Sequence, residues 1–174
     1  MGEEGEGWKI AMQTLQYERG AAAGAAGGMA QVRVSIDDVV ASLRGVMRDG
    51  RPVLEDPMIR DRLVQLMIEE KADAVSAKRA AIPALSSDYP FSLNLSGKLR
   101  ATEHSRRMRQ FAVTAQGAHG GLYVGDEAAI DGGFWQRAYM NNFASTIGGG
   151  TSQIQANIIG ERVLGLPKPA GSGS

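Results

Sequence analysis

Apolar residues recur at helical spacing in five separate stretches of this chain. Ile36, Val39, Val40 and Leu43 follow the i, i+3, i+4, i+7 rule of an amphipathic helix. Ile59, Leu63 and Leu66, with Met67 and Ala74 beyond, mark a second helix that runs to about Ala80. Its start is signalled by Asp56 as a cap and Pro57 at the first helical position. Met108, Phe111, Ala112 and Ala115 mark a third, expected from about Ser96 to the glycine cluster Gly117–Gly121. Trp135, Tyr139 and Phe143 form one aromatic stripe on a short helix over 133–145. Ile154, Ile158 and Val163 are the expected inward side of a last helix opened by Thr151. Upstream, Trp8 begins a stretch without proline until Pro52, which predicts a largely helical segment closed by the turn RDGRPVLEDP. Gly20, Gly24, Gly27 and Gly28 oppose that helix by about 1 kcal/mol each, and make sense where another backbone or a ligand comes close. No stretch shows a useful two-residue period. The pattern predicts an all-α, up-down helical bundle of about four to five helices. Residues 1–7 read as an opening loop and 8–167 as the bundle. The Pro, Gly and Ser residues of 168–174 read as a flexible tail compatible with a cloning remnant.

Composition narrows the functional classes. The 174 residues suit one domain. Nineteen basic and nineteen acidic side chains cancel, so no bulk attraction favours nucleic acid or a membrane surface. The absence of cysteine removes disulfides, thiolate metal sites and a cysteine nucleophile. No apolar run approaches the ~18 residues of a membrane span, and a cytoplasmic location is the default expectation.

Four constellations could carry chemistry. In GGGTSQIQ (148–155) three glycines let the backbone approach a bound group, and Thr151 caps a helix whose first N–H groups suit a polar ligand. A plain flexible loop before a capped helix has the same spacing. Glu18–Arg19, beside a run of small residues, could be a base facing a cavity or a solvated charge pair. The cluster Arg100, Arg106, Arg107 and Arg109 contains Glu103 and lacks interleaved aromatics, so a solvated, salt-bridged helix face is expected rather than a phosphate grip. His104 and His119 lie apart with no carboxylate at ligand spacing, so no metal is expected.

Taken in order, GEGWKIAMQTLQYERG, GRPVLEDPMIRDRL, SGKLRATEHSRR and TIGGGTSQIQANIIGERVLGLP resemble the C-terminal helical domain of flavin-dependent acyl-CoA dehydrogenases, from about Gly5 to Pro167. The resemblance implies FAD as cofactor and an acyl-CoA substrate. It implies α,β-dehydrogenation to a trans-2-enoyl-CoA, a homo- or hetero-oligomer (dimer or tetramer), and an electron-transfer protein as acceptor. One branch of the family places its catalytic glutamate just before the Gly-Thr of the last motif, where this chain has Gly149. The other places it on the first helix before an arginine, which matches Glu18 followed by Arg19. The resemblance further implies Thr151, Ser152 and Gln153 near the flavin, and Gln116, Gly120 and Gly121 on its adenine side across a subunit interface. Arg48 falls near the family's pyrophosphate arginine, and Gly150, with Arg19, near the substrate. The family's N-terminal helical and central β-domains have no counterpart here, so the chain by itself is expected to bind flavin weakly and turn over poorly. A catalytically silent partner subunit, or a truncated or engineered helical scaffold of this fold, satisfies the same motifs.

Overall fold

The computed structural model describes residues 4–21, 34–86 and 92–167. Helix α1 spans Gly7–Ala21 and α2 spans Ile36–Leu43. The expected continuous helix up to Pro52 is broken at Ser35, whose backbone is extended. Ser35 starts α2 afresh with a capping box: its hydroxyl accepts from Asp38 N at 3.3 Å while Ser35 N donates to Asp38 Oδ2 at 2.8 Å. Gly24, Gly27 and Gly28 lie outside the described residues.

After α2 the chain makes a small antiparallel hairpin, β1 (Met47–Arg48) and β2 (Arg51–Pro52), with Met47 opposite Pro52 and Arg48 opposite Arg51. Asp49 and Gly50 turn it with φ of 51° and 76°, the left-handed pair of a two-residue turn for which Asp-Gly is suited. Strands this short leave no periodicity to read. A 3₁₀ turn, Val53–Glu55, then leads into α3, Pro57–Ala80. Asp56 caps α3, accepting from Met58 N at 2.8 Å and Ile59 N at 3.3 Å, and Lys78 and Arg79 complement the negative end of the helix dipole in its last turn. A single turn, α4 (Pro83–Ser86), precedes α5, Ser92–Ala115, which begins one turn earlier than expected. Two 3₁₀ segments, Gly117–Gly121 and Ile130–Gly133, connect α5 to α6 (Phe134–Ile147), and α7 (Ser152–Arg162) ends the bundle.

Helix α5 is the axis of the fold, with α2, α3, α6 and α7 packed around it. The main apolar core gathers Ile36, Val39, Leu43, Val46, Val53, Leu66, Met108, Phe111, Ala112, Ala115 and Trp135. All four stripe residues of α5 are buried there, and its two alanines leave room for close helix approach. The stripe of α2 also points inward as expected, with Ile36, Val39 and Leu43 buried. Two expectations fail. Ala74 is exposed, and on α7 Ile154 is 46% exposed while Ile158 and Val163 are half-buried and Gln155 is the buried residue. The aromatic stripe of α6 divides likewise: Trp135 is buried, Tyr139 half-buried and Phe143 exposed. No helix among the described residues is long and apolar enough to cross a membrane.

Candidate cofactor and substrate site

The glycine turn before α7 has a defined geometry. Gly149 and Gly150 take φ of 67° and 101°, a left-handed path that L side chains rarely follow. Thr151 then caps α7, its Oγ1 accepting from Ile154 N at 3.3 Å. Gln155 reaches back to donate Nε2 to Gly149 O at 2.8 Å, so tightly that a Cβ on Gly150 would sit 2.9 Å from that nitrogen. Helix α5 holds the turn from the other side. Lys98 Nζ donates to Gly150 O, and Ser152 Oγ donates to Glu103 Oε1 at 2.6 Å. The second oxygen of Glu103 accepts from Arg106 Nε at 3.2 Å and Nη2 at 3.1 Å. The backbone amides of Ser152 and Gln153, in the first turn of α7, are not bonded to the carbonyls four residues back, as at any helix start. The side chain of Gln153 is exposed.

These contacts shift both charges on α5. The hydrogen bond from Ser152 holds the Glu103 carboxyl below its ordinary value of 4.5, helped by Arg106 and opposed by partial burial. Burial lowers the Lys98 ammonium, and the nearby Glu103 partly restores it. A carboxylate depressed in the folded state stabilises the fold above its unfolded-state pKa, and that contribution is lost as pH falls through the folded value. Thermal unfolding followed from pH 7 down through about pH 4 is therefore expected to show an acid-side loss of Tm that Glu103→Gln makes shallower. An unchanged acid limb in that variant would contradict the assignment.

At the far end of α5 lies a second polar cluster. Gln116 is buried, its Oε1 accepting from Gln136 Nε2 at 2.8 Å. The same Gln136 nitrogen donates to His119 O at 3.1 Å, which fixes the Gly117–Gly121 turn. The Nε2 of Gln116 is buried without a partner among the described residues. Gly120 packs so closely on α5 that a Cβ would lie 2.4 Å from Val113 O, whereas Gly121 is exposed. Lys98 and Val113 mark the two clusters on α5 and stand fifteen residues apart, roughly 22 Å along the axis. The structure thus places Thr151, Ser152 and Gln153 at one end of α5 and Gln116, Gly120 and Gly121 at the other.

Arg48 belongs to neither cluster. It is exposed on β1 and lines a surface groove of about 480 Å³ with Asp49, Arg51, Glu55 and Asp56 among others. Glu18 and Arg19 fall in the last turns of α1, and their side chains lie outside the described residues.

The arginine cluster follows its expected pairing in part. Arg100 meets Asp73 at 2.8 Å, Arg106 meets Glu103, and Arg107 meets Glu69 at 2.8 Å. Arg109 departs from the solvated reading, because it is buried and donates to the Ser105 carbonyl at 3.3 Å and to its hydroxyl. That hydroxyl in turn donates to Asn142 Oδ1 at 3.0 Å, so Arg109 belongs to a polar seam between α5 and α6. His104 is buried against Glu69 at 3.0 Å. Among the described residues no group of three His, Cys, Asp or Glu side chains could hold a metal. Lys98, Glu103 and Gln155 are site residues that no motif in the sequence singles out.

Comparison with known proteins fixes the class. The acyl-CoA dehydrogenase C-terminal domain profile matches residues 5–164, and the chain belongs to the acyl-CoA dehydrogenase family. It is 34% identical over 168 residues to the acyl-CoA dehydrogenase IpdE1 of Mycolicibacterium smegmatis, covering 97% of this chain and 39% of that protein. IpdE1 of Mycobacterium tuberculosis is also 34% identical, over 98% of this chain and 41% of its own length. The chain thus spans about two fifths of the length of these two relatives. Among solved structures, the Tcur3481-Tcur3483 steroid ACAD superposes with a TM-score of 0.72 at 23% identity, over 97% of this chain and 42% of that one. The ChsE4-ChsE5 complex from Mycobacterium tuberculosis gives 0.67 at 22% identity, again over 97% and 42%. At those identities the superpositions speak for the fold.

Proposed function

We propose that this chain is the C-terminal part of an FAD-dependent acyl-CoA dehydrogenase in which Glu18 is the base. The observation that carries this reading is the glycine turn. It is held for a close ligand approach, yet Gly149 offers no carboxylate, so a proton-abstracting group must come from another element. Glu18 on α1, followed by Arg19, is the candidate the family resemblance supplies.

FAD, when bound, supplies the two-electron acceptor. The amides of Ser152 and Gln153, the Thr151 hydroxyl and the exposed Gln153 amide present donors suited to the polar edge of a flavin. The buried free donor on Gln116, beside the Gly120–Gly121 turn, suits an adenine acceptor. Arg48 is the pyrophosphate candidate, in a groove it shares with Arg51 and with Asp49, Glu55 and Asp56. Gly150 leaves room for the thioester end of an acyl-CoA. In the reaction, the α C–H bond breaks and its proton passes to the Glu18 carboxylate. The β-hydrogen leaves with its electron pair to the acceptor, and the Cα–Cβ double bond forms.

Assembly is part of the proposal. Met140, Phe143 and Ile147 are all exposed at helical spacing on α6, and Val64, Ile68 and Val75 on α3; such apolar faces suit contact with further subunits. A second reading, a silent partner subunit, is favoured by the same Gly149 and by fold relatives whose names pair two chains. A flavin titration of the full-length protein, with any partner chains, separates the readings. Bound flavin that bleaches on adding an acyl-CoA supports the first, bound flavin that stays oxidised supports the second, and no flavin binding overturns both.

A further inference from the structure

We propose that Lys98 and Glu103 of α5 are positioning residues for the flavin-facing start of α7, clamping the Gly149–Ser152 turn from two sides. This rests on the cofactor reading given above. A run of three glycines does not hold itself in one conformation, because glycine loses more backbone freedom on ordering than any other residue. Three side chains tie the turn down. Gln155 holds the Gly149 carbonyl, but it belongs to α7 and only closes the turn upon its own helix. The Gly150 carbonyl and the Ser152 hydroxyl are held by Lys98 and Glu103, and these tethers come from a different element. They therefore set where the turn stands relative to the bundle.

Apolar packing shares that work only in part, since Ile158, Ile159 and Val163 are half-buried. The one fully buried residue of α7 is Gln155, and Ile154 faces outward. A helix whose apolar stripe is only half-buried is fixed less firmly by packing, and polar contacts then index its rotation and height. Both tethers suit that role, since each has one ionised partner, the stronger class of hydrogen bond. Glu103 is itself oriented, with Oε2 gripped by Arg106 and Oε1 left for Ser152. Its charge also lies close enough to stabilise the half-buried ammonium of Lys98. The clamp thus fixes the direction of the Ser152 and Gln153 amides.

The test uses the full-length protein with any partner chains. It compares wild type with Lys98→Met, Glu103→Ala, Lys98→Arg and, as a control on the same helix, Arg100→Met, which breaks the pair to Asp73. FAD dissociation constants from flavin fluorescence, the visible spectrum of bound flavin, and Tm are measured for each. Lys98→Met and Glu103→Ala are each expected to weaken FAD binding about tenfold, the loss of one charge-assisted hydrogen bond, and to alter the flavin spectrum. Lys98→Arg should restore both, and Arg100→Met should stay within about twofold of wild type. Wild-type affinity and spectrum in Lys98→Met would overturn the clamp while leaving the cofactor reading intact. Equal weakening by Arg100→Met would reduce the clamp to general stability and also overturn it. Absence of flavin binding in wild type would remove the cofactor reading and the clamp together. Should Glu103→Ala fail to fold, Lys98→Met decides.

Discussion

Replacing Glu18 by Gln is expected to lower kcat by about 10²- to 10⁴-fold while leaving FAD affinity within about twofold. Glutamine keeps the shape and helix compatibility of glutamate and removes only the basic oxygen, so packing of α1 is not at stake. The loss should be large because the turn before α7 cannot take over: Gly149 carries no side chain and sits at a φ of 67°. A carboxylate placed there would have to bear the strain of a left-handed residue. The measurement is steady-state turnover of the full-length protein, with single-turnover flavin bleaching to separate chemistry from product release. Turnover within a factor of a few of wild type would exclude Glu18 as base and favour the silent-subunit reading.

The largest expected structural effect falls at the start of α6. Trp135→Ala is expected to cost about 3–5 kcal/mol, the range for emptying an aromatic site in a core. Trp135 is among the largest fully buried side chains and meets Phe134 edge to face at 5.2 Å. Its indole also donates to Asp131 Oδ2 at 2.8 Å. Asp131, Gly132 and Gly133 take φ of 50°, 61° and 78° in succession, so this bond restrains an unusual left-handed run just before the helix. Trp135→Phe should recover most of the packing and lose the bond, costing about 1–3 kcal/mol. Denaturant unfolding monitored by far-UV circular dichroism checks both values. A Trp135→Ala cost under about 1.5 kcal/mol would mean that the site collapses readily and that the indole does not organise the turn.

Much of the fold was legible because its signals are local. The caps of α3 and α7, at Asp56 and Thr151, depend on side chains bonding amides two or three residues on. The stripes of α2 and α5 have the helical period, and helices with one apolar side bury it. Where the reading failed, a distant partner decided. Ile154 has the spacing of a core residue, but the outward placement of α7 leaves it exposed, and Gln155 turns inward to close the glycine turn. Arg109 resembles its neighbours in sequence, yet it lies against the seam to α6 while Arg100 and Arg107 pair with α3 and Arg106 with Glu103.

The site divides the same way. Family membership, the glycine turn and its cap follow from residues contiguous in the chain. So does the absence of a glutamate at Gly149, which directs the search for a base to Glu18. The roles proposed for Lys98 and Glu103 do not. The partners Gly150 and Ser152 lie 52 and 49 residues away along the chain, and nothing in SGKLRATEHSRR distinguishes these two charges from the solvated ones beside them. The sequence by itself determined the helices, their caps and the conformational freedom of the turn, since those depend on neighbours within a few residues. Only the tertiary structure decided which charges on α5 hold that turn, because it takes a folded bundle to bring a lysine and a glutamate against a backbone they never meet in sequence.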